Sequence, residues 1–398
     1  MNLALLKLIT AQVCVHATMA GMRLAAPLLA LKQGHSAVAV GFLLALFALT
    51  QVFMALPAGR YADRAGFRKP FFLAMLAASG GSGLALLLPS YPALCVAALL
   101  TGGASGMVVI AVQRHAGRIA HDALALKKVF SWLAIGPAVS NFLGPFLTGL
   151  LIDYANFGGE ESTMGFRMAF VLLALAPVLA WSWVRSTQEL PPVRAPAGGP
   201  KAQAWDLLRE RGFRQLLLVN WLQSASWDVH TFVLPLLGHE KGISASVIGT
   251  LLGVFAVAAT VIRLLMPLVA ERLREGAVVA GAMLVSACVF AAYPLMDSAW
   301  TMGICSMLLG FSLGSVQPMV MSMLHQITPE HRHGEALGLR LMLINASSVA
   351  MPVLSGAVGS LIGVASLFWI MGAGMGSCLK PAWRLGLSTK KEAASAGQ

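Results

Sequence analysis

From Asn220 to Thr231 the polar side chains fall into two adjacent stripes at helical spacing: Asn220, Gln223, Trp227 and His230 beside Trp221, Ser224, Asp228 and Thr231. Side chains three or four residues apart share a face of a helix, so the segment carries one polar, aromatic wall. Leu222, Ala225, Val229 and Phe232 supply most of its other face. Of the 16 acidic residues, Asp228 is the one lying well inside an apolar stretch. A charge at mid-helix in a membrane costs about 2.5 to 3.5 kcal/mol on insertion scales, so such residues usually face a cavity and serve function. A carboxyl group there, with His230 on the neighbouring stripe, suits proton loading and release, while the amides and indoles suit contact with an organic molecule. Gln12, His16 and Arg23 form a thinner polar set near the amino terminus. Asp228 is thus open to two readings, a proton carrier or substrate contact, and an ion pair with Arg23. Asn141 and Gln317 either line the same cavity or bond between helices.

The elements that must position these groups follow from composition. Of the 398 residues, 58% are hydrophobic and 11% charged, and the mean hydropathy is +0.77. Soluble domains carry about 25% charged residues, which excludes a water-soluble globular protein. The apolar runs are long and rich in Leu, Ala and Val, unlike the short alternating segments of a membrane barrel. They read as twelve spans: 5–31, 37–58, 70–89, 91–112, 128–152, 165–185, 213–238, 244–268, 276–295, 298–324, 336–362 and 364–384. The expected architecture is an all-α polytopic membrane protein with bundles at 1–185 and 213–398. The linker 186–212 between them is rich in Pro and Gly, and its end reads as a short amphipathic helix.

The two halves are related. Residues 23–49 and 231–257 align without a gap at an offset of 208, with Pro27, Gly34, Ser36, Gly41 and Phe47 among the identical positions. At this offset Gln12 meets Asn220 and Arg23 meets Thr231. Parallel repeats of this kind are one known plan for secondary transporters, with substrate bound at mid-membrane. The correspondence also makes residues 5–31 a retained span rather than a cleaved leader. Of the 28 Lys and Arg, 24 fall in alternate loops or at the helix ends beside them. By the positive-inside rule both termini and the linker are cytoplasmic. Basic loops facing anionic lipid account for the net charge of +12 better than nucleic acid does. Arg263, five residues from the cytoplasmic end of its span, is expected to snorkel to the surface.

The loop after the second span reads Gly59-Arg-Tyr-Ala-Asp63-Arg64-Ala-Gly66-Phe67-Arg68-Lys69. It resembles the loop motif of the major facilitator superfamily, with Phe67 where that family usually has an arginine. The resemblance implies that Gly59, Asp63, Arg64, Gly66, Arg68 and Lys69 form a conformational latch, and that Glu271 and Arg272 are a degraded second copy. Asp63→Asn is then expected to reduce transport strongly with little effect on folding, because a charge at the lipid–water boundary contributes little. Gly144, Pro145 and Gly149 resemble the family's fifth-span Gly-Pro motif, a feature of exporters that exchange substrate for protons; close helix packing explains them as well. The arginine of a fourth-span motif falls at Ala98.

The five cysteines lie in apolar runs without metal or disulfide spacing, and His325, His331 and His333 belong to an ordinary basic connection. No Walker, HExxH or GxSxG pattern occurs. The expectation is therefore a non-enzymatic secondary transporter without cofactor or metal. It would be a monomer in the cytoplasmic membrane of a bacterium, with a small organic molecule, protons and lipid as partners. Proton-coupled export heads the readings; the others are proton-coupled uptake of an organic anion and a non-transporting sensor or scaffold of the same fold.

Overall fold

The computed structural model describes residues 3–120, 122–154, 163–191, 204–243, 245–269 and 274–385. Its helices run in the order α1 Leu3–Lys32, α2 Ala37–Ala65, α3 Arg68–Leu87, α4 Tyr91–Ile119, α5 Ala123–Leu133, α6 Gly136–Tyr154 and α7 Met164–Val184. After the linker come α8 Arg211–Glu240, α9 Ala245–Val269, α10 Glu275–Ala292, α11 Ala299–Ile327, α12 His333–Ile362 and α13 Val364–Ser377. Helical structure resumes at 379–385. Where the sequence suggests an amphipathic linker helix, Ala204–Arg209 forms a short 3-10 turn; residues 192–203 of the linker lie outside the described residues.

The apolar runs set these helices, and local chemistry sets their ends. Ser36, Asp122 and Ser298 occupy the N-cap positions of α2, α5 and α11, and each side chain accepts the N–H of the residue three further on. Such caps satisfy donors that the first helical turn leaves open. The expected fifth span is two helices. Pro137 has no N–H to continue the ladder and its ring crowds the carbonyl of Leu133, so the helix breaks at Ala134–Ile135, between α5 and α6. Among the described residues, nine helical stretches are long and apolar enough to cross a membrane. The helix α8 is not one of them, because Asn220, Gln223, Asp228 and His230 interrupt its apolar run.

Two compact units account for the chain. The first comprises Met1–Ile119, Ile135–Gly198 and Glu330–Asn345; the second comprises Ala120–Ala134, Gly199–Pro329 and Ala346–Gln398. Each unit takes in a short stretch from the other half of the sequence. Inside the first, α1 packs along α6 and α7, and α4 along α2 and α3. A core of Met22, Phe47, Leu94, Phe170 and many alanines holds these helices close, with Ala98 fully buried within it. In the second, α11 packs along α9, α10 and α5, and α8 lies against α11 and α13.

The repeat is visible in the backbone. Gly34 after α1 and Gly242 after α8 are 208 residues apart and both have positive φ, +83° and +70°. A side chain in that left-handed region is strained, and glycine is not. Gly102 on α4 presses on the Phe47 carbonyl, and Gly310 on α11 presses on that of Phe255. Both members of each pair are again offset by 208, so the same helix contact is built twice with the same residue type at the crossing.

Candidate functional site

The Gly59–Lys69 segment is a tightly bonded cluster in the first unit. Asp63, near the end of α2, accepts a hydrogen bond from Arg114 Nε at 2.6 Å, from the Gly334 N–H at 2.9 Å and from the Glu335 N–H at 3.0 Å. A carboxylate at the start of α12 meets the unpaired N–H groups and the positive end of that helix. Gly59 and Gly334 meet backbone to backbone, and a β-carbon on either would strike the other's carbonyl oxygen. Glu335 ties the same crossing to Arg60 at 3.0 Å and to Arg332 at 2.9 Å. Gly66 ends α2 with φ of +78°. Beyond it Glu189 accepts the N–H groups of Phe67, at 2.5 Å, and Arg68, at 3.0 Å, capping α3 from the chain that follows α7. The Arg68 guanidinium donates to the Thr187 carbonyl. Arg64 and Lys69 are exposed. Glu271 and Arg272 lie outside the described residues.

This geometry corrects the expectation that Asp63 is a boundary charge of little energetic weight. Arg114, counted in the sequence among basic loop residues, is 2% exposed and its guanidinium is spent on Asp63. Removing one partner of a buried pair leaves the other uncompensated, at a cost of about 3 to 5 kcal/mol. Arg114, Gly334, Glu335 and Glu189 were not visible as parts of the cluster, since no spacing ties them to Asp63. The available signal was that Asp63 is the sole acid of its loop, so a cation from another helix end had to neutralise it once buried.

The polar set of α1 also gathers partners within the first unit. His16 Nδ1 shares a hydrogen bond with the Ser105 hydroxyl of α4 at 2.8 Å, and Asn141 of α6 bonds to the same ring. Gln12, one turn earlier, is buried beside Gly136, and its Oε1 has no hydrogen-bond partner among the described residues. Arg23 is exposed two turns further on. The Gly-Pro segment lies against α1. Gly144 presses on the Ala17 carbonyl of α1, Gly149 lies against Leu24, and Pro145 sits within α6. Ser140 turns its hydroxyl to the Gly136 and Val13 carbonyls.

In the second unit the wall of α8 divides. Gln223 donates to the Leu313 carbonyl of α11 at 2.8 Å, and Asn220 is buried. Asp228 is half-buried and accepts from the Ser348 hydroxyl of α12 at 2.9 Å. Gln317 is half-buried on α11. His230 departs from the accessible wall. It is 0% exposed, its ring lies against Phe255 and Tyr293 with centroids 4.4 and 5.7 Å apart, and neither nitrogen has a hydrogen-bond partner among the described residues. A ring so enclosed packs as an aromatic; Phe255 of α9 and Tyr293 of the turn after α10 are neighbours that the sequence pattern of α8 cannot reveal.

Arg263 of α9 also differs from expectation. It does not reach a surface: it is 7% exposed, its guanidinium lies 5.4 Å from the Trp227 ring centre, and Nη1 donates to the Ala134 carbonyl at 3.2 Å. Arginine side chains on a helix lean toward its amino terminus, which here carries the charge inward from the helix end. Trp227 in turn meets Phe255 edge-on, at 4.5 Å between centroids.

The family model of the Major Facilitator Superfamily matches residues 8–216 and again 216–397. The chain belongs to this superfamily. A search of curated proteins finds no match. Among solved structures, the human organic anion transporter MFSD10 is 17% identical, with 96% of this chain and 100% of that one covered and a TM-score of 0.77. A bacterial homologue of the iron transporter ferroportin, in an outward-facing state, is 13% identical over 98% and 100% of the chains, with a TM-score of 0.76. FucP in the outward conformation is 13% identical over 96% and 98%, with a TM-score of 0.75. At such identity these likenesses establish the fold alone. The double match of the superfamily model agrees with the repeat in the sequence and in the glycine contacts.

Proposed function

We propose that this protein is a secondary active transporter that moves a small organic molecule across the cytoplasmic membrane of a bacterium by alternating access. It is coupled to protons, works as an exporter and keeps both termini in the cytoplasm. The observation that carries the coupling is Asp228, an acid within the apolar run of α8 whose carboxylate meets a neutral hydroxyl, that of Ser348. A carboxylate fixed by a cation is held ionised, whereas one that meets a neutral hydroxyl is free to take up and lose a proton. Asp228 alone is assigned the proton; His230, enclosed by rings, is assigned to packing. Gln12, His16, Arg23, Asn141, Asn220, Gln223, Trp227 and Gln317 are assigned to the cargo. Export rests on the Gly144-Pro145 segment. The Gly59–Lys69 cluster, with Arg114 and the start of α12, is the latch for one conformational state.

The test uses purified protein in proteoliposomes, with a cargo found by a thermal-shift screen; a ligand at about 100 times its Kd adds about 2.7 kcal/mol of stability. Adding cargo should move protons in the wild type. Asp228→Asn should lose gradient-driven accumulation and keep exchange of cargo between the two sides. Cargo-driven proton movement that survives in the variant would remove Asp228 from the mechanism.

A second reading, proton-coupled uptake of an organic anion, draws on His16, on Arg23, an exposed cation of the first unit with no ion pair among the described residues, and on the likeness to an organic anion transporter.

A further inference from the structure

A guanidinium withdrawn from water needs compensation, and the usual source is a carboxylate. Arg263 has none among the described residues. Its surroundings are the Trp227 face at 5.4 Å and one backbone oxygen, that of Ala134 at 3.2 Å, which is met by Nη1. The Nε–H is buried with no acceptor among the described residues. Nε and Nη2 present two parallel N–H donors along one edge of the plane, the edge that grips a carboxylate in two-point fashion. That edge has no protein acceptor among the described residues. Capping the end of α5 at Ala134 explains one donor of five and leaves this edge unexplained.

The aromatic neighbours add a second constraint. Phe255 meets Trp227 edge-on at 4.5 Å and His230 at 4.4 Å, so the indole beside Arg263 is itself packed against other rings. A cation on an indole face, away from water, gains about 2 kcal/mol or more, set against the several kcal/mol that burial of an ion costs.

We propose that Arg263, oriented by Trp227, is the anion-binding subsite of the second unit, taking the carboxylate of an organic acid on its Nε/Nη2 edge. The inference rests on the reading of this chain as a transporter of a small organic molecule and gives that cargo a charge. It concerns Arg263 and is independent of the proton assigned to Asp228.

The test is a titration of the purified full-length protein with three probes of one shape: benzoate, benzamide and the benzamidinium cation. Thermal stability and tryptophan fluorescence are read together. Benzoate should stabilise the wild type, and the neutral and cationic probes should not. Arg263→Lys keeps a cation to cap Ala134 but lacks the two-point edge, and should bind benzoate at least tenfold more weakly while melting near the wild type. Trp227→Leu should weaken benzoate less. The proposal is overturned if benzoate leaves the wild type unmoved, if benzamide or benzamidinium acts equally well, or if Arg263→Lys keeps wild-type affinity. It is also overturned if affinity falls in Arg23→Gln and not in Arg263→Lys, which would place the anion on α1. The wild-type comparison of the three probes stands even if a variant fails to fold. None of these results bears on cargo-driven proton movement, so the subsite and the proton coupling fail separately.

Discussion

Arg114 and Arg263 are both almost wholly buried, one in each unit, and they are held in opposite ways. Arg114 meets the Asp63 carboxylate at 2.6 Å, in a cluster where the same carboxylate also receives two backbone N–H groups of α12. Arg263 meets one carbonyl and an aromatic face, with Nε unpartnered among the described residues. A charge compensated inside its own fold belongs to the structure, and removing it strands its partner. A charge left uncompensated is a standing cost, which the proposed anion would relieve.

The largest effect that would break this contrast is at Arg114. Arg114→Met should destabilise the protein by about 3 to 5 kcal/mol, the cost of stranding a buried charge, read as a lowered unfolding midpoint in detergent. Adding Asp63→Asn to it should recover much of that loss, because no ion is then left unpaired. A single variant that melts like the wild type would show that Asp63 is neutralised by other means. Next in size is Gly334→Ala. The added methyl meets the Gly59 carbonyl and the Asp63 carboxylate, backbone on one side and a fixed group on the other. Overpacking of this kind costs about 1 to 3 kcal/mol. Transport should fall further than stability, since the crossing of α2 and α12 that Asp63 fastens would be pushed apart. Wild-type transport by a folded Gly334→Ala protein would mean that this contact has no part in the cycle.

Much of the fold could be read from the chain because its signals are local. Apolar length gives the spans, Gly34 and Gly242 punctuate corresponding turns, and the offset of 208 ties Gly102 and Phe47 to Gly310 and Phe255. The break at Ala134 was also present in the chain as Gly136-Pro137, but the apolar residues on either side of that pair read as one continuous span and hide it. What stayed hidden is the pairing of side chains across helices far apart in sequence. Asp63 was legible as a latch residue from its motif, whereas Arg114, 51 residues away, was indistinguishable from a topology-setting loop charge. Arg263 looked like a residue that reaches for the surface, and only the placement of Trp227 and Ala134 reveals that it turns inward. His230 had the spacing of a wall residue, and two rings from elsewhere in the second unit, Phe255 and Tyr293, enclose it.

The smallest expected effect sharpens the contrast most. Arg263→Met removes a buried cation that has no described carboxylate to strand. The variant loses one hydrogen bond to a carbonyl, worth about 0.5 to 1.5 kcal/mol net, or somewhat more for a charged donor. It also loses a cation–π contact of about 2 kcal/mol or more. Against these stands relief of the desolvation of a guanidinium, which is several kcal/mol, and methionine fills much of the volume with a flexible apolar chain. The sum should fall within about 1 kcal/mol of the wild type or on the stabilising side, as found when buried ions elsewhere are replaced by hydrophobes. Measured in the same detergent, the midpoint of Arg263→Met should therefore stay at or above that of the wild type, while that of Arg114→Met drops. A fall at Arg263 as deep as at Arg114 would make it a strut holding the end of α5, and the distinction between a charge that locks and a charge that receives would be lost.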